Sequence, residues 1–176
     1  DIDQYGKLTL SNIEFTTTHL CNMRCSHCAV GYTLTNKELP SLPIDDILRQ
    51  LDEVESLRTM SFTGGEPLLT KRGIKNNLLP LLRYAKSRNI KTQINSNLTL
   101  PMHHIDMVTP YLDVMHISHN WVDEKEFATT GFSMFDIQPP SYNKGRLYRN
   151  IFDNARELSE GGIFVSAETM LNRNTL

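Results

Sequence analysis

Eight consecutive residues, Cys21-Asn22-Met23-Arg24-Cys25-Ser26-His27-Cys28, concentrate the chemistry this sequence can do. All three cysteines of the chain lie there, spaced C-x3-C-x2-C. Three thiolates on one short loop can converge on a single inorganic centre. A cubane iron–sulfur cluster has four iron corners, so three cysteines leave one iron open to a cofactor or substrate. Catalytic metal sites keep a coordination position free in the same way. A disulfide would pair two of the cysteines and leave an odd thiol, in a chain that shows no signal peptide. Structural zinc wants four ligands. His19 or His27 could supply the fourth, but His27 adjoins Cys28 and could hardly share a metal with it. Cysteines buried only as small apolar residues would not cluster like this. The spacing favours an iron–sulfur site over these three.

The elements that must hold this loop follow a simple rhythm. Residues 13–18 are rich in β-branched types and read as a first strand leading into the cysteines. Residues 44–57 carry apolar side chains at helical spacing, after a Pro-rich start and with Asp45 and Asp46 in the first turn. A short strand at 59–62 is broken by Gly64-Gly65. Leu78, Leu81, Leu82 and Ala85 mark a second helix; with Asn77 as its N-cap, Pro80 falls in the first turn and kinks nothing. A third strand at 90–94 ends in Asn95-Ser96-Asn97. A short helix spans 101–108, and a fourth strand 112–118. Leu147, Ile151, Phe152, Ala155 and Leu158 give a fourth helix closed by Gly161-Gly162, before a fifth strand at 163–170. Strand and helix thus alternate four times before a last strand, which predicts an α/β fold with parallel strands. The stretch 122–142 has no clear periodicity. At about 20 residues it exceeds an ordinary βα connection, and we expect a lid or substrate wall over the site, anchored by Phe127, Phe132, Met134 and Phe135; the plain alternative is that these aromatics only fill a gap between helices.

Ligands of parallel α/β folds sit at the carboxyl ends of strands. The unusual residues of this chain fall there. The cysteines follow the first strand, Gly64-Gly65-Glu66 the second, Asn95-Ser96-Asn97 the third and Ser118-His119-Asn120 the fourth. Each has a plain alternative. Gly64-Gly65 could be only a tight turn, though glycines also let backbone approach a ligand and a carboxylate beside them could accept from an ammonium. Asn97 could be only a turn residue. By strand parity His116 faces the same side as Ser118 and Asn120, as a hydrogen-bonded core histidine or a catalytic one. Glu168 alternates with apolar neighbours, so it lines the site or marks a solvated strand end. His116 and Glu168 are the catalytic candidates.

The C-N-M-R-C-S-H-C loop resembles that of the radical SAM superfamily, and Thr63-Gly64-Gly65-Glu66-Pro67 resembles its GGEP motif. The stretches H-L-C-N-M-R-C, Q-I-N-S-N-L-T-L and H-I-S-H-N-W are also similar to the YfkAB-like group of bacterial radical SAM proteins. The resemblance implies a partial barrel of six βα units, of which residues 13–176 supply five strands. Residues 1–12 would be a lead-in and the sixth unit would be missing, as in a C-terminally truncated core. It implies that Cys21, Cys25 and Cys28 bind a [4Fe–4S] cluster and that S-adenosylmethionine (SAM) chelates the open iron. Gly64, Gly65 and Glu66 would hold the methionyl amino group. Asn97 would contact SAM, although Leu98 stands where relatives carry Gly. Ser118 and Asn120 would touch the ribose, with Asn120 replacing an acid, and His27 would stack near the adenine. The implied activity is reductive cleavage of SAM to a 5′-deoxyadenosyl radical that abstracts hydrogen from an unknown substrate. An electron donor such as flavodoxin or ferredoxin is the implied partner.

Composition is that of an ordinary globular protein. The chain has 176 residues, 39% hydrophobic and 22% charged, enough for one domain with a core. A net charge of −2 announces no polyanion, so nucleic acid is not expected, and no apolar run approaches the ~20 residues of a membrane span. Grouped free cysteines without a targeting segment point to a reducing cytoplasm. The non-catalytic alternatives are a cluster-carrying electron-transfer module, which would not need Gly64-Gly65-Glu66, and a zinc-stabilised binding domain.

Overall fold

The structure is a computed structural model that describes residues 2–6 and 9–171. A single helical turn, α1 (Ile2–Tyr5), comes before strand β1 (Asn12–Thr18). There follow α2 (Ile44–Leu51), β2 (Thr59–Gly64), α3 (Lys71–Gly73), α4 (Leu79–Ser87) and β3 (Lys91–Ser96). Then come α5 (Met102–Ile105), β4 (Val114–Ser118), α6 (Glu124–Thr130), α7 (Ser141–Glu160) and β5 (Phe164–Glu168). The five strands pair in chain order, all parallel, in one unclosed sheet. The parallel strands are those the alternation predicts, and the unclosed sheet agrees with the partial βα barrel the resemblance implies.

Strand parity divides the sheet into two unlike faces. Met60, Phe62, Ile94 and Met115 are fully buried, on the side where Leu81, Leu82 and Ala85 of α4 and Ile151 and Leu158 of α7 add to one core. The opposite face carries Ser61, Thr63, Gln93, Asn95, His116, Ser118, Ser166 and Glu168, set side by side by the strand register. Closed βα barrels fill that space with branched apolar side chains. This one is lined with hydrogen-bonding groups, so its inner face suits water or a polar ligand.

Three expectations about the helices are corrected. The first helix ends at Leu51 rather than at 57. The second has its N-cap seven residues before Asn77: the Thr70 hydroxyl caps it, accepting from the Gly73 N–H at 2.9 Å. A π-helical segment, Ile74–Leu78, then joins α3 to α4, with the Leu79 N–H reaching back to the Ile74 carbonyl. A wide turn of this kind takes up the missing N–H and the ring of Pro80 without ending the helix. Asn77 is an internal strut, its amide accepting from the Leu42 N–H at 3.0 Å and donating to the Thr17 carbonyl at 3.1 Å. Finally, 122–142 is not aperiodic throughout. Asp123 caps α6 through the Glu126 N–H at 2.8 Å, and Phe127 and Phe132 are buried in the core.

Candidate functional site

The cysteine loop is held from two sides. From within, the Arg24 guanidinium donates to the carbonyls of Cys21 (2.9 Å), Met23 (2.8 Å) and Thr35 (3.0 Å) and to Asn36 Oδ1 (2.8 Å). From behind, the segment expected as a lid docks by backbone hydrogen bonds: Arg24 N–H to the Gly131 carbonyl (3.0 Å), Ser26 N–H to Thr130 (3.2 Å) and Met134 N–H to Arg24 (3.0 Å). Its buried aromatics support the loop from below; only its exposed part, with Met134 and Ile137, faces outward.

The glycine turn is shaped by the same neighbours. Gly64 has φ 137°, and a Cβ there would stand 2.3 Å from the Thr18 carbonyl oxygen; one on Gly65 would stand 2.1 Å from that of Leu20. Only glycine lets the turn lie on the chain leading into Cys21. Its N–H groups fix the contact, Gly65 to Thr18 (2.8 Å) and Glu66 to Leu20 (2.7 Å).

All three cysteines line one open cavity together with His27, Gly64, Gly65, Asn97, Ser118 and Asn120. The four strand ends therefore meet as their sequence positions require. Among the described residues no three His, Cys, Asp or Glu side chains converge on a point that a single ion would occupy. A cubane does not ask for that, because each cysteine would bind its own iron. Burial pushes the Cys21 thiol up to about 12, with the Glu66 carboxylate adding to it. Cys25 is pushed up further, by burial and then by the neighbouring Cys21 and Cys28. A cationic centre reverses that logic and takes the thiols as thiolates. The donor set, the shared cavity and the N–H groups near sulfur (Met23 N–H to Cys21 Sγ, 3.4 Å) fit an iron–sulfur cluster.

Glu66 is placed otherwise than expected. It is fully buried and does not line the cavity. Its carboxyl oxygens accept from the Leu68 N–H (3.1 Å), the Ser96 hydroxyl (2.8 Å) and the Asn97 N–H (2.8 Å). Burial raises its pKa to about 7 even though these donors oppose the shift. The side chain ties the glycine turn to the end of β3 and leaves the cavity wall to glycine backbone. Asn97, 8% exposed, does reach the cavity. His27 is buried with its ring 5.9 Å from Trp121. The Asn120 amide oxygen accepts from the Met170 N–H at 2.6 Å, joining the ends of β4 and β5.

His116 and Glu168 come together on the polar inner face and are not among the residues that line the cysteine cavity. His116 Nδ1 lies 2.5 Å from the Ser166 hydroxyl and 3.3 Å from Glu168 Oε1, and Nε2 lies 3.2 Å from Gln93 Oε1. Sequence reasoning passed over Trp121, and it placed Asn95 at the rim without giving it a role of its own. Both line the cavity, and Trp121 Nε1 and Asn95 Oδ1 are buried atoms without a hydrogen-bond partner among the described residues. The signal was present for Trp121: it is the sole tryptophan and directly follows Asn120 at the rim.

Known proteins place these features in a family context. The sequence model of the radical SAM superfamily matches residues 15–174. The putative protein YfkA of Bacillus subtilis (strain 168) is 52% identical over 176 residues, which is 100% of this chain and 47% of that protein. A GTP 3',8-cyclase of Helicobacter pylori is 31% identical over 106 residues, 57% of this chain and 32% of that enzyme. The chain thus spans less than half the length of these curated relatives. Among solved structures, Streptococcus suis SuiB bound to precursor peptide SuiA matches 96% of this chain and 35% of its own, with a TM-score of 0.64 at 17% identity. anSMEcpe with bound AdoMet matches 89% of this chain and 43% of its own, with a TM-score of 0.61 at 15% identity. At such identities the likeness is one of fold.

Proposed function

Since the chain belongs to the radical SAM superfamily, we propose that it forms the catalytic core, residues 13–176, of an enzyme that cleaves SAM reductively at a [4Fe–4S] cluster. When bound, the cluster and SAM would supply a 5′-deoxyadenosyl radical for hydrogen abstraction from a substrate still unknown. The observation that carries this reading is the gathering of all three cysteines, the glycine turn and the polar ends of β3 and β4 around one cavity.

Each residue then has a task of its own. Cys21, Cys25 and Cys28 hold three irons. Backbone of Gly64 and Gly65 receives the methionyl end of SAM. Glu66 acts through the turn it braces rather than by touching the ammonium. Ser118 and Asn120 hydrogen-bond the ribose, and His27, its ring tilted against that of Trp121, covers the adenine. A hydrogen-bonding substrate would meet His116 and Glu168 on the polar inner face. A one-electron donor such as flavodoxin or ferredoxin serves as reductant. No helix among the described residues is long and apolar enough to cross a membrane, and the grouped thiols suit a reducing cytoplasm.

Anaerobic reconstitution of the full-length protein tests this. We expect about four irons and as much sulfide per chain, and with a reductant, release of methionine and 5′-deoxyadenosine from SAM. Colourless protein carrying zinc, or a brown protein that neither binds nor cleaves SAM, would refute it; the second outcome would describe a cluster carrier.

A further inference from the structure

Resting on the assignment of Cys21 as a cluster ligand, we propose that Asn97 is a positioning residue for the cluster. Its side-chain amide donates to the Cys21 sulfur and raises the cluster's reduction potential, and α7 holds it there through Asn150 and Asn154.

The direction of the amide is fixed by its neighbours. Asn97 Oδ1 accepts from the Thr99 N–H at 3.1 Å. A backbone N–H can only donate, so the oxygen of the amide must face Thr99 and the NH2 must face away. The same oxygen accepts from the Thr99 hydroxyl at 2.7 Å. That hydroxyl accepts from Asn22 Nδ2 at 2.8 Å, and Asn22 Oδ1 accepts from Asn97 Nδ2 at 2.9 Å. Three side chains thus close a ring of three hydrogen bonds. One hydrogen of the Asn97 NH2 is left over, and the atom on that side is Cys21 Sγ at 3.9 Å. A donor at a ligating sulfur withdraws electron density, stabilises the reduced cluster and so raises its potential.

Holding Asn97 there demands an unusual backbone. Leu98 has φ 54°, a left-handed conformation that a branched apolar residue resists. Relatives are expected to place Gly at this point; here the loop is clamped instead. Asn154, 5% exposed, donates to the carbonyls of Leu98 (2.9 Å) and Leu100 (2.7 Å). Asn150, one turn before it on α7, donates to the carbonyl of Thr99 (2.7 Å). On the near side the Asn97 N–H is held by Glu66 and the Leu98 N–H by the Ser96 hydroxyl at 2.9 Å. Neither Asn150 nor Asn154 lines the cavity. Their side chains reach the site only through this loop.

A redox titration of the full-length holoprotein without SAM, followed by electron paramagnetic resonance, tests the proposal. Asn97→Ala should keep its iron and sulfide yet lower the midpoint potential. At a fixed reductant poise, the ratio of oxidised to reduced cluster should rise about three- to tenfold, as one weak hydrogen bond implies. Asn154→Ala should shift the potential in the same direction and by less. An unchanged SAM-free potential in Asn97→Ala with a full cluster would overturn the proposal. If Asn97→Ala cannot hold a cluster, Asn154→Ala decides, and an unchanged potential there overturns it. Wild-type protein that takes up no iron and sulfide overturns the cluster reading, and this proposal with it.

Discussion

Two carboxylates brace the sheet at opposite ends, by opposite physics. At the base, where strands begin, Asp113 precedes β4. Its oxygens accept from Lys91 Nζ (2.8 Å) and the Thr92 N–H (3.0 Å) at the start of β3, and its own carbonyl accepts from the Phe164 N–H opening β5 (3.1 Å). Partial burial alone would raise its pKa. The Lys91 ammonium and the Thr92 donors outweigh that and hold it below the usual carboxylate range. At the rim, Glu66 is fully buried with three donors and no cation among its partners, and its pKa is raised to about 7. A charge neutralised at a half-wet surface is an ordinary device of stability. A buried carboxyl without a counter-charge is costly, and the same rim holds the left-handed Leu98 and the unpartnered Asn95 Oδ1 and Trp121 Nε1. Local rules fail together at one end of this sheet, as expected where a fold is bent to serve a site.

The contrast would break most visibly at the cysteines. Cys25→Ala should reduce bound iron from about four per chain to near none, while leaving the base of the sheet and its thermal unfolding nearly intact. Iron and sulfide analysis beside circular dichroism separates the two. A variant that keeps a full, stable cluster would mean that Cys25 is not a ligand.

Glu66→Ala comes next. It strips the acceptor from two backbone N–H groups and one hydroxyl, all buried, and each unsatisfied group costs about 1–3 kcal/mol. We expect a net loss of about 2–4 kcal/mol in chemical denaturation, together with weaker SAM binding because Gly64-Gly65 and Asn97 lose their common brace. Weakened SAM binding with unchanged stability would instead indicate a carboxylate that meets SAM directly.

These outcomes separate what the sequence makes legible from what it hides. Strand order, the shared rim and the inner placement of His116 follow from local pattern: β-branched runs, paired glycines and a period of two. The direction of Glu66 does not. Spacing puts it beside two glycines, and only the β3 loop packed behind it decides that its oxygens turn inward. Asn77 with Pro80 three residues on is a sound local cap signal, overridden by distant bonds to Leu42 and Thr17 and by the π turn. The helix α6 hides because its seven residues bury only Phe127, too few for a period to show. A leucine at the end of β3 argues locally against a left-handed turn, and the asparagines that impose it lie more than fifty residues away on α7.

A smaller effect follows from the protonation of the rim carboxylate, measured as a difference between wild type and Glu66→Gln. The ordinary value near 4.5 is raised to about 7 on folding. Between those values the native state binds more protons than the unfolded one, so stability falls as pH rises. The wild type should therefore lose, relative to Glu66→Gln, on the order of 2–3 kcal/mol between about pH 4.5 and 7. The amide's own misfit against the Asn97 N–H is a constant offset and leaves this slope alone. A flat difference curve would mean that the three donors hold the carboxylate ionised throughout.

The smallest effect belongs to the base, and its sign is the reverse. Asp113 has its folded pKa lowered from 3.8, so its contribution is fully present above that value and is lost as pH falls through the depressed one. Its partner Lys91 is largely exposed, with 68% of the side chain accessible, and water and salt screen the pair. Asp113→Asn retains one oxygen to accept from the Thr92 N–H and loses mainly the ion pair. We therefore expect a loss of only about 0.5–1 kcal/mol at neutral pH, shrinking at high salt and vanishing in acid, with cluster content and SAM binding unchanged. Denaturation curves at two ionic strengths and along a pH series measure it. If Asp113→Asn disturbed the cluster as Glu66→Ala disturbs SAM binding, the two ends of the sheet would be coupled, and the division between a base that holds the fold and a rim that serves the site would not stand.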